Sequence, residues 1–313
     1  MRFHIVMLKT LKDLFSIKRS LVFLIISLIP VFIFANVSQR EAVFNFKVMT
    51  LPMQIQMMNG IFIIMSFIWI AGIPLVLLAA MTCGSFISKE EQDGTLLLLA
   101  SKPIRRYEII IGKFFAFLVS TMILELIAFL LAPLLTFNLL DLDPSALTSM
   151  LNMVPSLYLY SLFVTFVFGA ISATLSVLSR NRVKVVMVLV ALTILIYFGF
   201  SIIRGWTVPL GVYDKYGMNY FDVNYQLGNS YVFFLEQSGV KIMPPIQGIL
   251  GQFTGVYEAT DPEMVFDPDL GAMPSSLELK KYNTPLVSLS IWLGLAVFLL
   301  VAGILKFEKK EIY

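Results

Sequence analysis

The residues with the clearest potential for binding chemistry lie in one charged stretch, EEQDGTLLLLASKPIRRYEIIIGK, residues Glu90–Lys113. Its centre holds four consecutive leucines, Leu96–Leu99, which are followed by Lys102, Arg105 and Arg106. A short helix cannot place four successive side chains on one face, so some leucines would point at the rest of the chain and others toward a partner. In the alternative interpretation all four pack beneath neighbouring helices, and the basic residues mark only a membrane interface.

Local signals predict a short helix through these leucines. Asp93 or Thr95 is suited to cap a helix over residues 95–101, because both side chains accept hydrogen bonds from free backbone N–H groups. Pro103 prevents the helix from continuing, since proline has no N–H to donate. The stretch therefore predicts a helical turn or two with an apolar ridge and a basic rim.

Side chains for covalent or metal chemistry are scarce. The sequence contains no G-x-x-x-x-G-K-[ST] phosphate loop, so the chain is not expected to bind ATP in that way. His4 is the only histidine, which argues against His-rich metal sites and Ser-His-Asp catalysis. The methionines are irregularly spaced, and Cys83 lies in an apolar run, so both are predicted to pack as hydrophobic residues. We predict no catalytic residue, no metal site and no enzyme activity on this chain.

The composition is that of a polytopic membrane protein. Hydrophobic residues make up 58% of the chain and charged residues 14%, with a mean hydropathy of +0.85. Six runs are long and apolar enough to cross a bilayer as helices. The predicted spans are residues 21–37, 61–85, 109–140, 157–179, 183–203 and 286–305. Gly72 and Pro74 predict a kink in the second span, and the third span is long enough either to tilt or to break near Pro133.

Charge distribution predicts the orientation. An even number of spans places both termini on one side, and the segments on that side carry most of the lysines and arginines. We therefore expect both termini, and the loop with the four leucines, to be cytoplasmic.

The predicted organisation has four parts. Residues 1–20 form an amphipathic interfacial helix, with Leu8 and Leu11 opposite Lys9 and Lys12. Residues 21–203 contain spans one to five, with a connecting loop at 86–108. Residues 204–285, rich in Gly, Pro, Tyr and acids, form an extracellular segment of short helices and turns. Residues 286–313 form the sixth span and a cytoplasmic tail. The predicted fold class is thus an all-α polytopic membrane protein.

A few charged residues lie within or beside spans. Glu125 is an acid inside the third span. In one interpretation it faces a substrate cavity or a subunit interface. In the other it is a structural acid that is protonated or hydrogen-bonded, for example to Ser120 or Thr121. Arg180 and Arg182 follow the fourth span and either anchor it at the inner surface or form a second contact with a partner. Arg204, at the end of the fifth span, is predicted to be an interfacial anchor.

The stretch SKEEQDGTLLLLASKPIRRYEIIIGK resembles the signature of ABC-2-type transporter permeases, the membrane subunits of a family of ABC transporters. In that family a pattern E-x-x-x-G-T-L-x-x-L-L-x-x-P-x-x-R-x-x-x-x-x-x-K follows the second span. The matching residues here are Glu90, Gly94, Thr95, Leu96, Leu99, Pro103, Arg106 and Lys113, and Ala100 stands where the pattern has its last leucine. Six spans, an N-terminal amphipathic helix and a large segment before the last span agree with the resemblance.

The resemblance implies a separate ABC ATPase as partner. In such transporters the loop after span two forms a cytoplasmic coupling helix in a groove of the ATPase, which carries the ATP and Mg. The residues that the resemblance assigns to coupling are Glu90, Asp93, Gly94, Thr95, Leu96, Leu97, Leu98, Leu99, Lys102, Pro103, Arg105 and Arg106. It further implies two ATPase copies, a second permease subunit as homodimer or heterodimer, a place in the cell membrane, and export of a substrate.

Two other functions stay open at this point. In the first, the ATPase drives a mechanical or maturation complex in which residues 204–285 act on an extracytoplasmic protein or lipoprotein. In the other, the chain is a stand-alone channel or secondary carrier, which the scarcity of charges inside the spans disfavours. The residues do not identify the substrate.

Overall fold

A computed structural model describes residues 3–40, 49–95, 105–240, 242–259, 264–267, 271–274, 277–280 and 282–310 of the 313-residue chain. In chain order the α-helices are α1 (Phe3–Leu14), α2 (Ile17–Arg40), α3 (Leu51–Met65), α4 (Ile73–Thr82), α5 (Ser88–Gln92), α6 (Arg106–Leu140), α7 (Pro144–Leu178), α8 (Arg182–Ile194), α9 (Phe200–Thr207), α10 (Val212–Lys215), α11 (Val223–Glu236), α12 (Pro244–Thr254) and α13 (Pro285–Glu308).

Within this part of the chain, six helical stretches are long and apolar enough to cross a membrane, which confirms the predicted number. They are Ile17–Ser38, Leu51–Ser85, Arg106–Leu140, Pro144–Leu178, Arg182–Thr207 and Pro285–Glu308. In its most apolar window, α7 is 72% buried and α13 only 17% buried. Helix α7 is therefore the centre of the bundle, and α13 presents most of its surface outward.

The fourth span is longer at its start than its hydropathy predicts. Asp143 accepts a hydrogen bond from the backbone N–H of Ser145 at 2.8 Å and caps α7, while Pro144 occupies the first helical position. Residues 144–156 include several polar side chains, so they lower the hydropathy without interrupting the helix. The break near Pro133 that was one possibility for the third span is absent, because α6 runs through Pro133 as one continuous helix.

The second span is interrupted where its sequence predicts a kink. A π-helical turn, Ser66–Ile70, follows α3, and α4 begins after Gly72 with Pro74 in its first turn. A side chain at Gly72 would collide with the carbonyl oxygens of Phe67 and Ile68, so glycine is required there. A second π-turn, Leu195–Gly199, lies in the fifth span and has no comparable sequence signal.

Residues 204–285 form short helices, as predicted, and also short strands that were not predicted. Strand β1 (Tyr257–Ala259) pairs with β4 (Leu277–Leu279), and β2 (Met264–Asp267) pairs with β3 (Gly271–Pro274), both antiparallel. Strands of three or four residues are too short to display the apolar alternation that identifies a strand. Helix α11 is buried against α7 and α13, and its Tyr231 hydroxyl donates to the carbonyl of Ile63 at 2.7 Å.

Arg204 is buried in a polar network, so its prediction as an interfacial anchor is wrong. It is 6% exposed and forms an ion pair with Asp222 at 2.5 Å. Its guanidinium also donates to the side-chain oxygen of Asn224 at 3.1 Å and to the carbonyl of Phe253 at 2.5 Å. This network joins the end of the fifth span to two helices of the 204–285 segment.

Candidate functional site

The candidate site begins at α5, the short helix between the second and third spans. The backbone N–H of Asp93 donates to the carbonyl of Lys89, and the backbone N–H of Thr95 donates to the carbonyl of Glu90, both at 2.9 Å. Gly94 between them has a φ of 68°. That left-handed conformation is the usual way to end a helix at glycine, because an added Cβ is strained there. The motif glycine therefore ends α5 and sets the direction in which the chain enters residues 96–104.

Glu90 and Lys113 connect the two ends of this motif. The Nζ of Lys113 lies 2.5 Å from Oε1 of Glu90 and also donates to the carbonyl of Phe86 at 2.7 Å. Lys113 lies two turns into α6, with its ammonium 5.9 Å from the centre of the Phe86 ring. A cation on the third span thus holds the helix that follows the second span.

Glu91, the next residue, pairs with two other parts of the chain. Its Oε2 lies 2.6 Å from the Nζ of Lys310, just after α13, and its Oε1 lies 3.1 Å from the Nε of Arg180, just after α7. Lys310 donates in addition to the carbonyl of Val177 at 3.1 Å. Adjacent acids on α5 therefore contact the ends of three different spans.

Arg106 stabilises the C-terminal end of α13. Its guanidinium donates to the carbonyls of Phe307 at 3.3 Å, Glu308 at 3.1 Å and Lys310 at 2.5 Å. These carbonyls belong to the end of the last span, where helical partners are missing and a cation is favourable. Arg106 thus has a contact within the chain, in addition to any contact with a partner.

The structure brings some of the predicted site residues together and does not describe others. Glu90, Arg106 and Arg180 belong to one charged cluster at the ends of the spans, whereas Asp93, Gly94, Thr95 and Arg105 are exposed beside it. Arg182 is partly buried at the start of α8 and makes no ion pair with any described residue. The remaining predicted residues, Leu96, Leu97, Leu98, Leu99, Lys102 and Pro103, lie outside the described residues.

Glu125 lies apart from this cluster, deep in α6. It is fully buried, and neither carboxylate oxygen has a hydrogen-bond partner in the described part of the chain. Thr121 likewise has no partner for its hydroxyl, and Ser120 donates to the carbonyl of Phe117 instead. The suggested bond from Ser120 or Thr121 to Glu125 is therefore not formed.

Sequence reasoning missed two members of the cluster, Glu91 and Lys310. The motif singles out Glu90 and not its neighbour, and Lys310 is in sequence only one of the many basic residues that predict the orientation. The charge pattern offered one signal. Glu90 and Glu91 follow the second span, and basic residues follow the fourth and sixth spans. These opposite charges can pair if the three span ends lie on the same side of the membrane.

Comparison with known proteins identifies a family for this chain. Residues 10–312 match the model of a family described as ABC-2 family transporter protein. The match covers nearly the whole chain, including α2 to α13. No curated protein matches the sequence.

Proposed function

Since the chain belongs to the ABC-2 transporter family, we propose that this multi-pass membrane protein couples ATP hydrolysis on a separate ABC ATPase to the export of a substrate. Membership of the family makes the chain a membrane subunit of a transporter. The proposal adds the coupling segment, residues 86–108, and the direction of transport. It places ATP and Mg on the ATPase, which is why this chain needs no phosphate loop.

The connection of α5 to three spans supports this proposal most. Glu90 pairs with Lys113 on α6, and Glu91 pairs with Lys310 after α13 and with Arg180 after α7. A partner that moves residues 96–104 therefore also moves α5, because the loop follows it directly. The ion pairs then transmit that displacement to the third, fourth and sixth spans.

The leucines provide the proposed contact. In this arrangement part of Leu96–Leu99 occupies an apolar groove on the ATPase, and Lys102 and Arg105 contact polar or acidic groups at its rim. Two copies of the ATPase and a second permease subunit complete the working unit. Both termini and residues 86–108 lie in the cytoplasm, and residues 204–285 lie on the opposite side of the cell membrane.

Co-purification with an ATPase tests the proposal. The chain is purified from membranes of its own host as wild type, Leu97→Glu and Leu98→Glu, and the ABC ATPase that co-purifies with each form is quantified. A buried charge at the centre of an apolar contact is expected to weaken association or coupled ATP turnover at least tenfold. The matched control is Leu210→Glu, which changes a 73% exposed leucine in the 204–285 segment and should leave the complex intact. Full coupling in both loop variants would contradict the assignment of this loop.

A further inference from the structure

A cavity of about 810 Å³ lies between the N-terminal helices and the end of the second span. Helices α1 and α2 form one wall, and α4 and α5 form the other. One part of the lining is apolar and comes from α2 and α4, where both helices belong to membrane spans. Its main apolar residues are Val22, Phe23, Ile26, Leu77, Leu78 and Met81.

The other part of the lining is basic. Five basic and three acidic side chains reach the cavity, and one of each, Lys113 and Glu90, neutralise one another at 2.5 Å. The other four cations are Lys9, Arg19, Lys89 and Arg182. None of these four makes an ion pair with any residue that the structure describes. The two remaining acids of the lining, Asp13 and Asp93, offset only half of this charge, and the excess of cations around one cavity favours an anionic ligand.

The cavity is shaped for a molecule with a charged head and an apolar tail. At its apolar end the indole of Trp69 donates to the carbonyl of Ile26 at 2.8 Å and holds α2 against the second span. Between this contact and the basic end, Met81 is 57% exposed and Ile26 is 41% exposed. Exposed apolar side chains within a span face hydrocarbon, so this part of the cavity suits an acyl chain.

We propose that this cavity binds a membrane phospholipid with an anionic headgroup. Its phosphate lies among Lys9, Arg19 and Lys89, and one acyl chain lies along α2 and α4. A free phosphate would use only the basic end and leave the apolar wall uncovered. The volume is within the range of small-molecule sites, about 300–1,000 Å³. This binding goes beyond the proposed transport function and requires no ATPase, so it is tested on the chain alone.

Native mass spectrometry of the purified full chain in detergent tests the proposal. The chain is incubated with equal amounts of phosphatidylglycerol and phosphatidylcholine, and the bound fraction of each is measured. The wild type is expected to retain more phosphatidylglycerol than phosphatidylcholine. The variant Lys9→Gln/Arg19→Gln should retain it about 30-fold less, which corresponds to roughly 1 kcal/mol for each lost basic residue.

Two further variants make the result specific. Lys12→Gln/Lys18→Gln removes two exposed lysines of the same helices that do not line the cavity, and it should bind like the wild type. Met81→Trp fills the apolar part and should weaken binding of the lipid without changing any charge. Inorganic phosphate in millimolar excess should not displace the lipid.

Three results would overturn the proposal. Equal retention of the two lipids would show that the cavity does not select a negative charge. An equal loss in the Lys12→Gln/Lys18→Gln control would show that general surface charge attracts the lipid. Displacement by inorganic phosphate, with Met81→Trp binding normally, would show that the ligand is a soluble anion.

Discussion

The ammonium of Lys113 lies 2.5 Å from the carboxylate of Glu90, and this ion pair joins the first and last residues of the family motif. The two side chains are 12% and 24% exposed, so the pair is largely shielded from water. Residues 96–104 run between the two helices that it connects. The pair therefore holds α5 against α6 on the two sides of that segment, as the proposed coupling to an ATPase would require.

Replacing either member of this pair should destabilise the chain. Lys113→Met removes the cation and leaves the Glu90 carboxylate, whose second oxygen already has no partner among the described residues. We expect Lys113→Met and Glu90→Gln each to lower the free energy of unfolding by about 2–3 kcal/mol. The measurement is a detergent unfolding titration of the two single variants and the double variant. Because each single change leaves one partner behind, the double variant should cost less than their sum. Strict additivity would show that the two residues do not interact.

Gly94 should be required for its backbone conformation alone. Its φ is 68°, and a Cβ at this position would meet no atom within 4 Å. Gly94→Ala is therefore expected to cost about 1 kcal/mol of stability, purely from strain in the left-handed region. Gly205→Ala is the matched control, since Gly205 lies in helix α9 with open space around it. That change should stabilise the chain by about 0.5–1 kcal/mol. Thermal unfolding in detergent measures both, and the same sign for the two would refute this account.

Arg106 should hold the end of α13 in place. It donates to three carbonyls at that end, whereas the exposed guanidinium of Arg105 has, among the described residues, a hydrogen bond to the hydroxyl of Tyr107 at 3.3 Å and none to α13. Arg106→Ala is expected to accelerate amide hydrogen exchange over residues 305–310, and Arg105→Ala should leave it unchanged. Loss of ATPase binding in Arg106→Ala without faster exchange would instead assign Arg106 to the partner alone.

Composition and periodicity were sufficient to predict the architecture. Long apolar runs identify spans directly, because a bilayer admits few structures other than helices. The kink at Gly72 and Pro74 was predictable, since both residues act on the backbone locally. Three features could not be predicted in this way: the start of the second span, the start of the fourth span and the π-turn at Leu195–Gly199. They are determined by a helix cap or by neighbouring helices, and hydropathy does not report either.

The motif predicted which loop to examine but not how it is held. Glu90 and Lys113 were recognised as motif residues, yet their pairing depends on how the second and third spans come together. The contacts of Glu91 with Lys310 and of Arg204 with Asp222 join residues that are distant in sequence or lie in a segment with little periodicity. A single sequence contains no direct signal for such pairs. The part played by Leu96–Leu99 stays a prediction.

The pair of Arg204 and Asp222 should be needed for the 204–285 segment to remain folded on the spans. Asp222 is 2% exposed, so its removal leaves a buried guanidinium without a counter-ion. Asp222→Ala is expected to lower the free energy of unfolding by about 3–5 kcal/mol.

Tyr213 donates to the same carboxylate at 2.9 Å. Burial, together with that carboxylate, raises the pKa of Tyr213, so the phenol keeps its proton. Tyr213→Phe should therefore cost less, about 1.5 kcal/mol. Limited proteolysis of the segment and thermal unfolding measure both, with exposed Glu236→Ala as the neutral control. A neutral Asp222→Ala would show that Asn224 and Phe253 suffice to hold Arg204.

The orientation predicted from the distribution of charge can be measured with single cysteines. Cys83, the only native cysteine, is fully buried and should not react in the folded chain. Lys215→Cys and Lys309→Cys place thiols at exposed positions in the 204–285 segment and after α13. In intact cells a membrane-impermeant maleimide should label the cysteine at position 215 and not the one at 309. Both should react after the membrane is permeabilised, which is the control for accessibility. Labelling of position 309 alone in intact cells would invert the topology, and residues 86–108 would then be unable to reach a cytoplasmic ATPase.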